Sequence, residues 1–214
     1  MTTWLRLIFL LLIAKPLARV FTGVDVIDKA RLPRRGPAII AANHSSHVDT
    51  LLLLTMFPAA AMRHVRPVAA ADYFLKGPVV SWFSRTLIGI VPVARGRVGR
   101  DEEDVLAPAR GALEAGAIVI VFPEGTRRAE DDLGRLKNGV ARLAEAFPEA
   151  PVIPVWIQGA GRVLPKGGTV PTPMNCWVGV GEAIAWPGRR TAFMDQLRDS
   201  LETLAAAAPP LRWS

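Results

Sequence analysis

The chain carries a single cysteine, Cys176, among 214 residues. One thiol excludes an intrachain disulfide and a cysteine-built metal cluster. Cys176 reads instead as a small buried hydrophobe, and its isolation fits a reducing compartment. Aromatic residues make up only 7%, with one tyrosine. They do not interleave with basic residues, and no helix-turn-helix signature is present, so nucleic acid is not an expected partner. There are three histidines. His44, His47 and Asp49 form an H-x-x-H-x-D pattern, but a metallohydrolase usually needs more ligands and only His64 is left, so no metal is expected. A G-x-S-x-G elbow is missing, which disfavours a serine lipase.

Basic residues outnumber acidic ones, giving a formal net charge of +7 and a pI of about 10.5. A basic surface points to an anionic partner, here a membrane or a phosphorylated substrate. Half of the residues are hydrophobic and the mean hydropathy is +0.27. A chain of this length and composition supports one sizeable core and one domain.

The first twenty residues depart from the average. Trp4 to Ala14 is strongly apolar, and Lys15 and Arg19 close it. The unbroken run, residues 7–14, is far shorter than the ~20 residues a bilayer span requires. As a signal peptide, with Arg6 in its basic region, the segment is poorly formed, because Pro16 and the basic flank make a bad cleavage site. The expected reading is an interfacial or partly inserted anchor helix over residues 1–20, with a buried core helix as the alternative, followed by a catalytic domain over 21–214. It implies monotopic or peripheral attachment to the cytoplasmic face of the membrane, and release of much of the protein when residues 1–19 are removed.

Apolar runs with strand character lie at 24–27, 38–42, 67–71, 88–93, 117–122, 152–157 and 177–180. Helical patterns cover 50–56, 101–114, 136–147 and 191–207, and an apolar amphipathic stretch covers 77–87. Acidic residues in the first turn of 101–114 suit the helix dipole, and Gly116 stops that helix. Strands alternate with helices. The fold class is therefore α/β, a single domain with a mixed, largely parallel sheet flanked by helices.

The most informative stretch follows the strand at 38–42. It reads Asn43-His44-Ser45-Ser46-His47-Val48-Asp49. A carboxylate one turn after a histidine, at a strand-to-helix junction, takes the proton on one ring nitrogen. The other nitrogen is then free to accept a proton, which makes a general base with its orienting partner. No serine nucleophile is needed where the substrate brings its own hydroxyl.

Three further blocks sit at strand ends, where open α/β sheets place ligands. They are residues 89–95, Gly-Ile-Val-Pro-Val-Ala-Arg, then 122–127, Phe-Pro-Glu-Gly-Thr-Arg, and 152–155, Val-Ile-Pro-Val, with Gly159 following. In this order and spacing, residues 20–185 resemble the glycerolipid acyltransferase family that includes 1-acylglycerol-3-phosphate acyltransferase. The second block has Val91-Pro92-Val93 where the family often carries an aromatic, but it keeps Gly89 and Arg95.

The resemblance implies a glycerol-3-phosphate acyltransferase-like fold and an O-acyltransferase of phospholipid synthesis. His44 would deprotonate the acceptor hydroxyl, which attacks an acyl thioester, and Asp49 would orient the imidazole. Arg95 and Arg127 would bind the acceptor's phosphate, a task suited to permanently cationic, fork-shaped groups. Glu124 would pair with Arg127 or hold a substrate hydroxyl. Gly125 would allow a close backbone approach, Thr126 would donate a hydrogen bond, and Lys137 would add positive charge. Backbone amides of residues 124–126 are candidate oxyanion donors. His47 would line the pocket or cap the helix, Pro154 would shape the acyl-chain pocket, and His64 reads as a surface residue.

No cofactor is implied beyond the acyl thioester co-substrate, acyl carrier protein or coenzyme A bearing the acyl group. The implied acceptor is lysophosphatidic acid, acylated at its sn-2 hydroxyl to phosphatidic acid. Glycerol-3-phosphate, another lysophospholipid or a lyso-ornithine lipid would use the same chemistry. A noncatalytic lipid-binding protein of the membrane is the alternative from another class.

Overall fold

Strand β2 (Ala38–Ala42) occupies the middle of a seven-stranded sheet with order β1-β7-β6-β2-β5-β3-β4. The computed structural model describes residues 2–71, 77–94, 102–127, 133–165, 168 and 170–210. The other strands are β1 (Asp25–Ile27), β3 (Val65–Ala70), β4 (Val91–Val93), β5 (Ile118–Val121), β6 (Val152–Gln158) and β7 (Trp177–Val180). Only the β6–β7 pair is antiparallel among the paired strands, so the sheet is mixed and largely parallel.

Every residue of β2 is buried, because helices cover both faces of the sheet. Side chains alternate between those faces. Ala38, Ile40 and Ala42 enter a core that includes Leu52, Leu53 and Met56 of helix α3 (His47–Met56). Ile39 and Ala41 enter the opposite core. There they join Ala109 of α6 (Glu102–Glu114), Val140 of α7 (Gly139–Ala146), and Phe193 and Leu197 of α9 (Arg190–Ala207). A strand with two buried faces leaves no room for a polar alternation, which is why its sequence is a continuous apolar run.

The largest boundary differences from the sequence reading are about three residues, at three starts. Helix α3 starts at His47 rather than at 50, because Ser46 caps it and Asp49 closes a capping box. Strand β4 begins at Val91 rather than at 88. Gly89 adopts φ +75° and interrupts the extended run after a wide, π-helical turn (Ser84–Ile88). That turn continues α5 (Pro78–Phe83). Helix α7 begins at Gly139 rather than at 136.

The N-terminal segment is helical throughout 2–22, as α1 (Thr2–Phe9), a π-helical turn (Leu10–Ala14) and α2 (Lys15–Thr22). One side of it belongs to the core, where Leu10 and Ala14 are buried. Arg6 is also buried. Its guanidinium donates to the carbonyls of Met62 (3.1 Å), Arg63 (3.1 Å), Val65 (2.7 Å) and Ile88 (2.9 Å). Burial, with a smaller contribution from the nearby charge of Arg66, pushes the Arg6 pKa down to about 9, so the group stays cationic at neutral pH. The other side of the helix exposes Trp4, Ile8, Leu12 and Val20. Beside it α5 exposes Val79, Val80, Trp82 and Phe83, and the Phe83 ring meets Phe9 edge-on at 5.4 Å. Among the described residues, no helix is long and apolar enough to cross a membrane. Two short helices, α4 (Ala59–Met62) and α8 (Ala160–Val163), complete the elements used below.

Candidate functional site

Strands β2, β5 and β6 run parallel and adjacent, so the loops that leave their C-terminal ends meet at one edge of the sheet. The β2 loop carries His44, the β5 loop carries Glu124 and Arg127, and Gly159 follows β6. Asn43 ties the β2 loop to the end of β6. Its side-chain amide donates to the Ile157 carbonyl (2.8 Å), and its carbonyl oxygen accepts the Ile157 amide (2.7 Å).

His44 Nδ1 lies 2.9 Å from Asp49 Oδ2. Asp49 is fully buried, yet its charge is well solvated by the protein. Oδ2 also accepts the backbone amides of Ser45 (2.7 Å) and Ser46 (2.8 Å), and Oδ1 accepts the Ser45 hydroxyl (3.3 Å). A carboxylate surrounded by donors accepts, so Nδ1 carries the proton and Nε2 keeps its lone pair. The His44 ring is stacked on Phe122, with centroids 4.1 Å apart and planes 20° from parallel. Its side chain remains 16% exposed, which is enough for a substrate group to reach it.

Glu124 is almost fully buried, and its Oε1 accepts the His44 backbone amide at 3.1 Å. This contact ties the β5 loop to the β2 loop. Gly125 sits at φ +67°, and its amide is already spent on the Phe122 carbonyl (3.0 Å). It is therefore not one of the oxyanion donors expected from this loop. Lys137 arrives from the far side. Its amide donates to the Pro123 carbonyl (2.8 Å), and its side chain lies across Gly125, where an added Cβ would stand 2.5 Å from Nζ. Thr126 is exposed at the same loop, and Arg127 is half-buried. His47 is close enough to feel Arg127. Its pKa is lowered to about 4, first by burial, then by the positive charge of Arg127 and by His44 whenever that imidazole is protonated, with Asp49 opposing. His47 is thus a neutral member of the site at pH 7.

The structure therefore gathers His44, Asp49, Glu124, Gly125, Thr126, Arg127 and Lys137 around one edge of the sheet. Arg95 lies outside the described residues. Four residues without an assigned role in the sequence reading also shape the site: Asn43, Ser45, Ser46 and Phe122. Ser46 was findable, since Ser46-x-x-Asp49 is a capping-box pattern ahead of an apolar run. Its hydroxyl also donates to the Leu164 carbonyl at 2.8 Å, fastening the cap to the segment after α8. The role of Phe122 depends on strand adjacency, which spacing does not encode.

An acyltransferase family model matches residues 23–158, a stretch that contains β1 through β6 and the site residues from His44 to Lys137. The chain is 31% identical over 148 residues to the 1-acyl-sn-glycerol-3-phosphate acyltransferase of Bacillus subtilis, covering 68% of this chain and 69% of that protein. It is 30% identical over 148 residues to a chloroplastic 1-acyl-sn-glycerol-3-phosphate acyltransferase of Brassica napus. That match covers 69% of this chain but only 40% of the plant protein, so the chain spans about two fifths of this relative's length. Among solved structures, the 1-acyl-sn-glycerophosphate acyltransferase of Thermotoga maritima superposes with a TM-score of 0.69 at 25% identity, covering 92% of this chain and 79% of that one. The chain belongs to the acyltransferase family that includes the 1-acyl-sn-glycerol-3-phosphate acyltransferases.

Proposed function

We propose that this chain transfers a fatty acyl group from an acyl thioester to the sn-2 hydroxyl of 1-acyl-glycerol-3-phosphate, forming phosphatidic acid. The observation that carries the reading is the His44–Asp49 pair, with Nδ1 held by a buried carboxylate and Nε2 open. In this reaction His44 Nε2 takes the proton of the acceptor hydroxyl as its oxygen attacks the thioester carbonyl. The tetrahedral oxyanion collapses, the carbon–sulfur bond breaks, and the thiolate leaves with a proton from the imidazolium. Asp49 stabilises the imidazolium without taking its proton. The thiol is that of acyl carrier protein or coenzyme A, and no other cofactor enters the scheme.

Arg127 and Lys137 flank the loop that follows β5 and supply the positive charge a phosphate-bearing acceptor needs. Arg95 is assigned the same task from its motif position. Glu124 acts through the His44 backbone and through its loop, a role that avoids placing a bare carboxylate against the phosphate.

The same reading places the protein on the cytoplasmic membrane surface through its N-terminal helix. Trp4, Ile8 and Leu12 stand beside Val79, Val80, Trp82 and Phe83, an apolar face shared by α1 and α5. Tryptophan and aliphatic side chains on one face suit the headgroup–acyl boundary. The acceptor and product are lipids, so a site carried at the membrane shortens their path.

The test is acyl transfer by the full, detergent-solubilised chain from labelled acyl carrier protein and acyl-coenzyme A. The acceptors are lysophosphatidic acid, glycerol-3-phosphate, zwitterionic lysolipids and lyso-ornithine lipid. Phosphatidic acid formed from lysophosphatidic acid and lost in His44→Ala is the expected result. Transfer to a different acceptor alone would replace the substrate, and unchanged turnover in His44→Ala would remove the base.

A further inference from the structure

A cavity of about 760 Å³ opens far from His44. Residues 29–35 lead into β2 and residues 56–61 lead towards β3, so the cavity lies at the N-terminal ends of the strands. His44 lies at their C-terminal ends. β2 alone separates the two edges by about 17 Å.

Four cations stand around this cavity: Lys15, Lys29, Arg34 and Arg35. The exposed residues Ala30, Pro58 and Ala60 form its apolar wall, with Met56 and Phe57 buried behind them. Among the described residues, no acidic one contributes to the wall. Among the described residues, no carboxylate forms an ion pair with any of the four. A ring of like charges over an apolar floor is electrostatically unfavourable on its own, and it is complementary to an amphiphile with an anionic head. Its volume lies in the range of small-molecule sites. Lys15 lies one turn after Leu12, which is exposed on the N-terminal helix, so the cationic rim continues the apolar face of that helix. At a bilayer surface that succession matches acyl region followed by phosphate level.

We propose that this cavity binds the headgroup and first acyl segment of an anionic phospholipid, as a second lipid site separate from the candidate active site. Lys15, Lys29, Arg34 and Arg35 hold the phosphate, and the exposed wall of Ala30, Pro58 and Ala60 takes the adjoining hydrocarbon. The site gives the protein a preference for anionic membrane. It rests on the membrane contact proposed above only for the source of the lipid, not for the pocket's chemistry.

The experiment uses the full chain and two variants. K29Q/R34Q/R35Q removes three exposed cations, and A60W fills the cavity from its exposed wall without changing charge. Flotation with phosphatidylcholine vesicles, with and without phosphatidylglycerol, gives the anionic preference. Titration with dihexanoyl phosphatidylglycerol below its micelle concentration, and with inorganic phosphate, reads the pocket without any bilayer. Thermal unfolding confirms that both variants fold.

The triple variant is expected to lose roughly a hundredfold in affinity for anionic vesicles, about fivefold per cation. A60W is expected to lose the saturable binding of the short lipid and most of the anionic preference. Inorganic phosphate is expected to bind far more weakly than the short lipid. Retention of lipid binding by A60W overturns the cavity and leaves a diffuse basic surface. Phosphate binding as tight as the lipid's overturns the lipid and leaves a free-anion site. A wild-type chain that ignores vesicles yet binds the short lipid saturably removes the membrane reading and keeps the pocket.

Discussion

Arg6 reaches 82 residues along the chain to donate to the Ile88 carbonyl at 2.9 Å. With its bonds to Met62, Arg63 and Val65, it fastens the N-terminal helix to the loop before β3 and to the turn before β4. An apolar segment closed by basic residues reads from sequence as a detachable anchor. The guanidinium and the buried Leu10 and Ala14 make its inner side part of the core. Arg6→Met leaves several buried carbonyls without their charged donor and is expected to destabilise the fold by about 2–4 kcal/mol. Deletion of residues 1–19 is expected to give aggregated protein rather than a released enzyme. Chemical denaturation of the point variant and sedimentation of the truncated one are the measurements. A soluble truncated monomer that unfolds cooperatively would contradict this.

Asp49 serves two structures at once, the imidazole of His44 and the cap of α3. Its two functions separate experimentally. His44→Ala removes a partly exposed ring and is expected to abolish transfer with little change in stability. Asp49→Asn keeps an oxygen for the Ser45 and Ser46 amides, turns the Oδ1 position into an NH2 against the Ser45 hydroxyl, and removes the negative charge that these donors and the His44 imidazole share. It is expected to lower turnover by a factor on the order of 10³–10⁴ and to cost about 1–3 kcal/mol of stability. A rate loss without a stability loss would show that the cap of α3 needs only the oxygen and not the charge.

The pair His44–Asp49 was legible because it is local: five residues across a strand-to-helix junction leave little geometric freedom. The sheet was legible for a related reason, since strands buried on both faces must be apolar at every position. The Glu124 contact with the His44 amide was not. It depends on β5 lying beside β2, although β3 and β4 intervene in the chain. The expected partners of Glu124 were Arg127 or a substrate hydroxyl, and spacing offers no way to find a backbone amide on a neighbouring loop. Arg6 was hidden by averaging. Within an apolar run one charge reads as a flank, and its carbonyl partners, 56 to 82 positions away, have no side-chain signature.

His47 makes the site sensitive to acid. Its pKa falls from 6.5 to about 4 on folding, through burial and the charge of Arg127. Between those two values the unfolded chain binds a proton that the folded site refuses, so stability rises with pH across the window. The contribution is complete above pH 6.5 and is lost progressively as the pH falls towards 4. His47→Gln keeps the size and polarity of the group and removes the titration. Urea unfolding at pH 4.5, 5.5 and 7 is expected to show a flatter profile for His47→Gln than for the wild type. Parallel profiles would mean that His47 protonates equally well in both states.

Gly125 and Lys137 act on one another through a single contact. A side chain at Gly125 meets two separable costs. The first is the left-handed backbone, φ +67°, which disfavours alanine by about 1–2 kcal/mol. The second is steric, because the new Cβ would sit 2.5 Å from Lys137 Nζ. The ammonium is the free end of a flexible chain, so it swings away at low cost in stability. It then leaves the loop where the acceptor's phosphate is expected. Gly125→Ala should therefore lower stability and raise the acceptor KM, whereas Lys137→Ala should raise the acceptor KM alone. The double variant is expected to show a KM no higher than the worse single variant, because both substitutions displace the same charge. Steady-state kinetics on the three variants, with the donor saturating, measures this coupling. Multiplicative KM effects would show that Gly125 serves the acceptor by a route independent of Lys137, through the close approach of its own backbone.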